Sequence, residues 1–494
     1  MRRALRWAAL ALAVVGAVAS LRTARFGSLQ PAVAAVPMVA VEVDALAGRL
    51  AAGLRLETVS TQDADAVDLA AFRGFHRLLE EAYPRARRAL DRETVNEGSL
   101  LYTWRGRDPS LQPLLLAAHI DVVPVDPGSE ERWTHPPFEG VVEGGFVWGR
   151  GAMDDKASLF CILEAVEELL IAGFEPERTV LLAFGHDEEV GGERGAAQIA
   201  ALLASRGTRL AFVLDEGGAV VAPGTLPGLD RQVATIGIAE KGSVSVELAA
   251  DAAGGHSSTP PRHTAVGIVS AAVTELENHP MPGRIDGTTG LFFDHLGPEL
   301  ALPWRVVLAN RWLFGPLLVA GLSRVPATDA MLRTTTAATI IEGGVKENVL
   351  PTRARAVVNF RIHPADSIEA VVEHVRRVVG DERVSIQVGV RSTPREPSPV
   401  SPADSEAFAA IARALREVFP DAAAVPYLVV GGTDARHYAE LTPRLYRFGP
   451  FEYGKDALER VHGTDERLSL ENLVSGVRFY RRLIERAAGP PAAP

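Results

Sequence analysis

Thr179-Val180-Leu181-Leu182-Ala183-Phe184-Gly185-His186-Asp187-Glu188-Glu189-Val190-Gly191-Gly192 is the stretch whose reading decides the fold. Its first half is an apolar run closed by glycine, the pattern of a buried strand that ends abruptly. Its second half sets Asp187, Glu188 and Glu189 side by side where that strand stops. Neighbouring carboxylates repel, so each resists ionisation unless a cation lies between them. In parallel sheets, ligands gather at the carboxyl ends of strands. A solvated acidic turn would read the same way, so the other strand ends carry the decision.

Working outward, the same design recurs. Leu114-Leu115-Leu116-Ala117-Ala118 runs straight into His119-Ile120-Asp121. An imidazole that binds a metal wants its second ring nitrogen held by a carboxylate, and Asp121 is placed for that role. Phe146-Val147-Trp148 leads through Gly149-Arg150-Gly151 to Asp154-Asp155, just before an apolar helix from about 157 to 172. One aspartate there is an ordinary helix cap; two in a strand-to-helix turn point to more. Leu210-Ala211-Phe212-Val213-Leu214 ends in Asp215-Glu216. His462, before the closing helix, brings a second imidazole to the same edge. Apolar strands alternating with helices predict a three-layer α/β/α domain with a mostly parallel sheet. The gathering of His119, Asp154, Glu188, Glu189 and Asp215 on one rim is the economical account of four such strand ends.

After about residue 239 the pattern changes. Lys241-Gly242-Ser243-Val244-Ser245-Val246 alternates like a half-exposed strand, and the order through about 395 is β-α-β-β-α-β. This predicts an inserted α+β, ferredoxin-like domain over 239–395, between main-domain segments at 42–238 and 396–494. Within it, an apolar insert at about 280–331 holds Leu291-Phe292-Phe293, Pro303-Trp304 and Trp312-Leu313-Phe314. It is too interrupted to span a bilayer. It reads either as extra core or as a greasy wall for an acyl chain or a membrane surface.

The chain has 494 residues and a net charge of −11 with no basic stripe, which argues against nucleic acid as a partner. The single cysteine, Cys161, excludes an internal disulfide and a cysteine-built zinc site. No H-E-x-x-H helix and no G-x-S-x-G turn occurs. At the start, Arg2, Arg3 and Arg6 precede an uncharged run from Trp7 to Leu21, followed by Arg22 and Arg25. Residues 1–25 therefore read as an export signal or a membrane anchor, with 26–41 as the tether, and the location as the cell envelope or beyond.

Taken together, His119-x-Asp121, Gly149-Arg150-Gly151-Ala152-Met153-Asp154-Asp155-Lys156, Glu188-Glu189-x-Gly191-Gly192, Asp215-Glu216-Gly217, Gly255-His256-Ser257-Ser258, Asn348-Val349-Leu350-Pro351 and His462-Gly463 resemble the M20 family of co-catalytic zinc hydrolases. The long apolar insert is most similar to its carboxypeptidase S/PM20D1-like branch. The resemblance covers about residues 45–487. It implies two zinc ions, with cobalt or manganese as alternatives, bridged by Asp154. One zinc would add Glu189 and His462, the other His119 and Asp215. Asp121 would orient His119, and a cis bond would join Asp154 to Asp155. Glu188 would be the general base. His256, in the lid, would polarise the scissile carbonyl, across a homodimer interface formed by that lid. Asn348 and Arg361 would hold a substrate carboxylate. The implied reaction is cleavage of the amide bond of N-acyl, including N-fatty-acyl, amino acids, with release of C-terminal residues from short peptides as the alternative.

Overall fold

The computed structural model describes residues 2–225, 229–390, 393–457 and 459–490. Met1 of the expected leader and the end of the second main-domain segment, 491–494, lie outside it.

A sheet of ten strands forms the body. Its centre is parallel: Val180–Gly185, Leu114–His119, Phe212–Asp215 and Leu445–Arg447 lie side by side in that order. His119 is in register with Gly185, and Asp215 with Arg447. The ends of the strands before His119, Glu188 and Asp215 therefore share one rim, whereas Phe146–Trp148, expected in the same sheet, pairs instead in a separate antiparallel sheet with Val141–Glu143 and Arg467–Ser469, and Asp154 reaches the rim through the turn that follows it. Strands Ser99–Trp104 and Val233–Glu240 flank this centre in antiparallel fashion.

Successive residues of a strand face opposite sides of the sheet, and both sides are covered. Leu114, Leu116, Leu182 and Phe184 pack into a core with helices Val43–Leu54, Lys156–Ile171, Glu406–Val418 and Leu470–Ala488. Leu115, Ala117, Leu181 and Val213 pack the other way, against helix Ala196–Ser205 and Tyr438. The result is the expected three-layer sandwich.

The chain leaves the large sheet at Glu240 and enters a second one at Gly242. This sheet is antiparallel, with strands Thr335–Gly343, Arg353–Ile362, Gly242–Asp251 and Val384–Val388 in spatial order. Helices Ala265–Asn278 and Ile368–Val379 cover it over a separate core of Val244, Val246, Phe360 and Val375. Numbered along the chain the strand order is 2-3-1-4, the ferredoxin-like arrangement. A two-strand ribbon, Gly255–His256 with Val349–Leu350, projects from it.

The apolar insert forms helices Gly287–Leu296, Leu302–Ala309, Arg311–Leu322 and Pro326–Leu332. Its Phe292, Phe293, Leu296 and Leu308 pack on Ala423 and Val425 at the edge of the large sheet. So it belongs to the body of the molecule rather than to the core of the small sheet.

The N-terminal run departs from its sequence reading in length. The helix Arg2–Arg25 has 24 residues, because it continues through the flanking arginines. At ~1.5 Å per residue it is about 36 Å long, enough to cross a bilayer. Nor is the following segment a loose tether. The Gln30 amide donates to the Ala424 carbonyl at 3.1 Å and accepts from the Ala424 N–H at 2.8 Å. Arg416 and Arg478 donate to the Pro31 and Val39 carbonyls at 3.0 and 3.1 Å.

Candidate metal centre

The strand Leu114–His119 delivers the His119 imidazole to the rim, almost wholly buried. Its Nδ1 faces the Asp121 carbonyl at 2.9 Å, with the Asp121 carboxylate 3.4 Å away. Its Nε2 faces Asp154 Oδ1 at 2.9 Å. Asp154 Oδ2 in turn faces His462 Nε2 at 2.9 Å. One carboxylate thus stands between two imidazoles that lie 343 positions apart in sequence (462 minus 119), one on each oxygen.

Each side is completed by a different glutamate. Glu189 Oε2 lies 3.3 Å from His462 Nε2, and Glu216 Oε1 lies 3.6 Å from His119 Nε2. Within the triads His119–Asp154–Glu216 and Asp154–Glu189–His462 all donor atoms are within 4.8 Å of one another. Ligands bound to a tetrahedral zinc at ~2.0–2.2 Å lie roughly 3.3–3.6 Å apart, so each triad is near the spacing of three ligands around one ion.

Glu216, not Asp215, completes the His119 side, and the strand period explains this correction. Asp215 is the last residue of its strand and shares a face with Val213. Its carboxyl sits near Thr433, Arg447 and Glu240, where Thr433 Oγ1 and Arg447 both donate to Glu240 at 2.7 Å. The next residue, Glu216, points the other way. The motif Asp215-Glu216-Gly217 was legible, but which acid faces the metal depended on where the strand stops.

The loop carrying Asp154 is held by Glu466. This fully buried carboxylate accepts from the backbone N–H groups of Gly151, Met153 and Asp154 at 3.0, 2.8 and 3.3 Å, and from Arg150 Nη1 at 2.7 Å. The Asp154–Asp155 peptide is cis. Asp121 fixes the other loop: it accepts from the N–H groups of Glu188 and Glu189, both at 3.1 Å, and from Ser60 Oγ at 2.5 Å. A short 3-10 turn at Glu188–Val190 then sends the two glutamates apart, and Gly191 closes it at φ 117°, a conformation that favours glycine. Neither Glu466 nor Ser60 belongs to a motif that sequence reading could single out.

The electrostatics of the rim suit cations. Burial raises Glu188, Asp155, Glu216 and Asp434 well above the usual carboxylate range, and Glu189 and Asp215 less so. Burial disfavours charge on His119, yet Asp121, Asp154 and Glu216 outweigh it and hold the imidazole well above its ordinary value. Hydrogen bonds to Asp154 and Glu189 lift His462 to about 10. Glu189 Oε1, Asp155 Oδ2, Asp215 Oδ2 and both Asp434 oxygens are buried without a hydrogen-bond partner among the described residues. Such orphaned acceptors are costly unless something positive meets them. Three carboxylate and two imidazole donors, with uncompensated acids around them, fit a pair of divalent metal ions.

The remaining expected residues lie in the small domain. His256 and Asn348 meet on the ribbon: His256 pairs with Val349, and Ser257 N–H donates to the Asn348 carbonyl at 3.1 Å. His256 Nδ1 accepts from Ser258 N–H at 3.1 Å, which leaves the ring proton of the neutral form on Nε2. Arg361 stands exposed on the strand Arg353–Ile362, opposite Ser243. Among the described residues, no hydrogen bond or ion pair joins His256, Asn348 or Arg361 to the carboxylate cluster. Two arginines that the sequence reading did not single out come closer to it. Arg395 is lowered by burial and then by Arg436 and Arg361, with Glu188 acting the other way. The turn Gly431-Gly432 admits both: a Cβ on Gly432 would stand 3.0 Å from Arg395 Nη2 and 3.4 Å from Arg436 Nη1.

Comparison with known proteins gives this geometry its context. The model of peptidase family M20/M25/M40 matches residues 115–486. The chain is 41% identical over 474 residues to the probable carboxypeptidase S-like 2 of Dictyostelium discoideum, covering 94% of this chain and 90% of that protein. It is 41% identical over 444 residues to the N-fatty-acyl-amino acid synthase/hydrolase PM20D1 of Mus musculus, covering 89% and 87%. An M20 family metallo-carboxypeptidase, Sso-CP2 from Sulfolobus solfataricus, superposes with a TM-score of 0.64 at 18% identity, over 90% of this chain and 99% of that one. With its rim of shared carboxylates and paired imidazoles, the chain belongs to the M20 peptidase family, as a metal-dependent amidohydrolase of the carboxypeptidase S/PM20D1-like branch.

Proposed function

We propose that this protein is a dizinc hydrolase of N-acyl amino acids, with fatty acyl groups as the preferred class. The observation that carries the proposal is Asp154, whose two oxygens each face a separate imidazole–glutamate pair. One metal would be held by His119, Asp154 and Glu216, the other by Asp154, Glu189 and His462. Cobalt or manganese would suit the same donors. When bound, the ions would polarise the scissile carbonyl and bring the pKa of a water towards ~7.

The chain's own residues do the rest. Glu188 ligates nothing in either triad, and burial holds its proton affinity high. That suits a general base, which takes a proton from water and passes it to the leaving amine. Asp121 keeps Glu188 and Glu189 aimed apart and holds His119 in place. His256 Nε2–H is the donor for the carbonyl oxygen, reached by movement of the small domain or from a partner subunit through a lid-to-lid homodimer. Asn348, whose buried Oδ1 lacks a partner among the described residues, and Arg361 would bind the substrate carboxylate, with Arg395 beside them. Gly149–Gly151, Gly191–Gly192 and Gly217–Gly218 are turns that bring backbone close to this site rather than ligands.

The fatty-acyl preference rests on the insert's apolar helices and on the name of the mouse relative. Release of C-terminal residues from short peptides uses the same chemistry and is favoured by the name of the Dictyostelium relative. Comparing kcat/KM for acetyl-, octanoyl- and oleoyl-amino acids with that for dipeptides separates the two. The N-acyl reading expects a rise with chain length and little dipeptide cleavage; the reverse order overturns it.

The N-terminal helix is read as a retained anchor. The Asn310 amide donates to the Ala19 carbonyl at 3.2 Å and to Thr23 Oγ1 at 3.1 Å, so the helix end is part of the fold. Cleavage after Ala17-Val18-Ala19 would discard the Ala19 half of that contact. The intact mass of the membrane-extracted protein tests this directly, and a mass beginning at Ser20 overturns it.

A further inference from the structure

The helices Leu302–Ala309 and Arg311–Leu322 carry a surface that the fold leaves uncovered. Leu302 is 66% exposed, Trp304 and Trp312 50% each, and Leu317 72%. The two helices meet at 109°. At ~1.5 Å per residue they measure about 12 and 18 Å, too short to cross a hydrocarbon core of ~30 Å. Their inner sides are spoken for: Leu308, Leu318 and Leu322 pack with Phe26 and Phe293.

Two observations say what meets the outer side. First, the face adjoins the end of the N-terminal helix. Arg22 Nε donates to the Ala309 carbonyl at 3.2 Å, and Asn310, between the two insert helices, binds Ala19 and Thr23. A membrane that holds Arg2–Arg25 must therefore reach the insert. Secondly, residues 300–328 contain no aspartate or glutamate but three arginines, Arg305, Arg311 and Arg324, of which Arg311 is paired with Asp294 at 2.7 Å, in a chain with a net charge of −11. Arg22, which reaches the Ala309 carbonyl, is itself exposed, as are Arg25 and Arg324. Short helices with paired tryptophans, exposed leucines and basic flanks have the composition of segments that lie in the plane of an anionic bilayer surface.

We propose that Leu302–Leu322 is seated in the headgroup region of the membrane that Arg2–Arg25 crosses. The occupant of the face is the lipid bilayer. Because residues 26–41 are hydrogen-bonded to the body, this second contact would fix the height and tilt of the catalytic rim above the membrane. It rests on the anchor reading, but not on the choice of substrate.

The test uses the full chain with Trp7→Phe, reconstituted in nanodiscs of phosphatidylcholine and phosphatidylglycerol bearing brominated acyl chains. Bromine quenches only tryptophans at the lipid. Substituting Trp304→Phe and Trp312→Phe together should abolish at least half of the quenched fluorescence. An unchanged quenched fraction overturns the proposal, as does protection of both tryptophans by a second copy of the chain, read as a dimer in detergent without any quenching. No catalysis is measured, so failure of the acyl-amino-acid assay is a separate result. An intact mass that lacks the helix tells failure of the anchor reading apart from failure of this one.

Discussion

At the scale of single residues the account depends on which carboxylate does what. Glu188→Gln removes the base and leaves both triads, so it should retain its metals while kcat falls by about 10²–10⁴-fold; turnover near the wild-type value with normal metal content would show the base misassigned. Glu216→Gln should lose one metal per chain by elemental analysis, whereas Asp215→Asn should keep both, because Asp215 faces Thr433 and Arg447 instead. These two variants separate neighbours that look alike in sequence. Part of the rim was legible there because His119, Glu188-Glu189 and Asp215-Glu216 follow apolar strands of one parallel sheet, which end together, whereas Asp154 and His462 arrive from outside that sheet. Glu216 was missed because a one-residue difference in where a strand ends exchanges the faces of consecutive side chains. Asp434 follows no strand-end pattern that singles it out; its burial against Gly185 and Gly192 comes from tertiary packing.

At the scale of elements, two loops are held from beneath. Glu466 ties three N–H groups of the Asp154 loop to Arg150. Removing one partner of a buried pair leaves the other charge uncompensated, so Glu466→Ala should destabilise the protein by about 3–5 kcal/mol in denaturant unfolding. It should also weaken metal binding by roughly 10–100-fold, as the loss of an outer-shell support does. Protons are the second lever. Without metal, His462 is raised to about 10 by Asp154 and Glu189. A raised value means that this pairing stabilises the apo fold fully below the ordinary histidine value of ~6.5 and is lost as pH climbs through about 10. At neutral pH the ring must therefore give up its proton when it takes a metal. Calorimetric titration of zinc into the apo protein, in two buffers of different ionisation enthalpy, should show proton release and an affinity that rises with pH. No element boundary in the sequence revealed the Glu466 support, because it joins residues more than 300 positions apart.

For the whole molecule, the alternation of strands and helices was enough to read the sandwich, and the change of pattern near 239 enough to read a second, ferredoxin-like sheet. What could not be read was how the apolar insert and the N-terminal segment are used. Composition records that Phe292 and Trp304 are apolar, but only packing shows that one lies against Val425 and the other faces outward. The metal centre joins the two ends of the body, since Asp154 and His462 come from opposite sides of the inserted domain. Stripping the metals with a chelator should therefore lower the unfolding temperature, and zinc should restore it. The most direct measurement of the central claim is the number of zinc ions per chain in the wild type, His462→Ala and Asp154→Asn proteins, by inductively coupled plasma mass spectrometry after gel filtration. Two, one and none are predicted, because only Asp154 serves both sites; two zinc ions retained by Asp154→Asn would contradict the account.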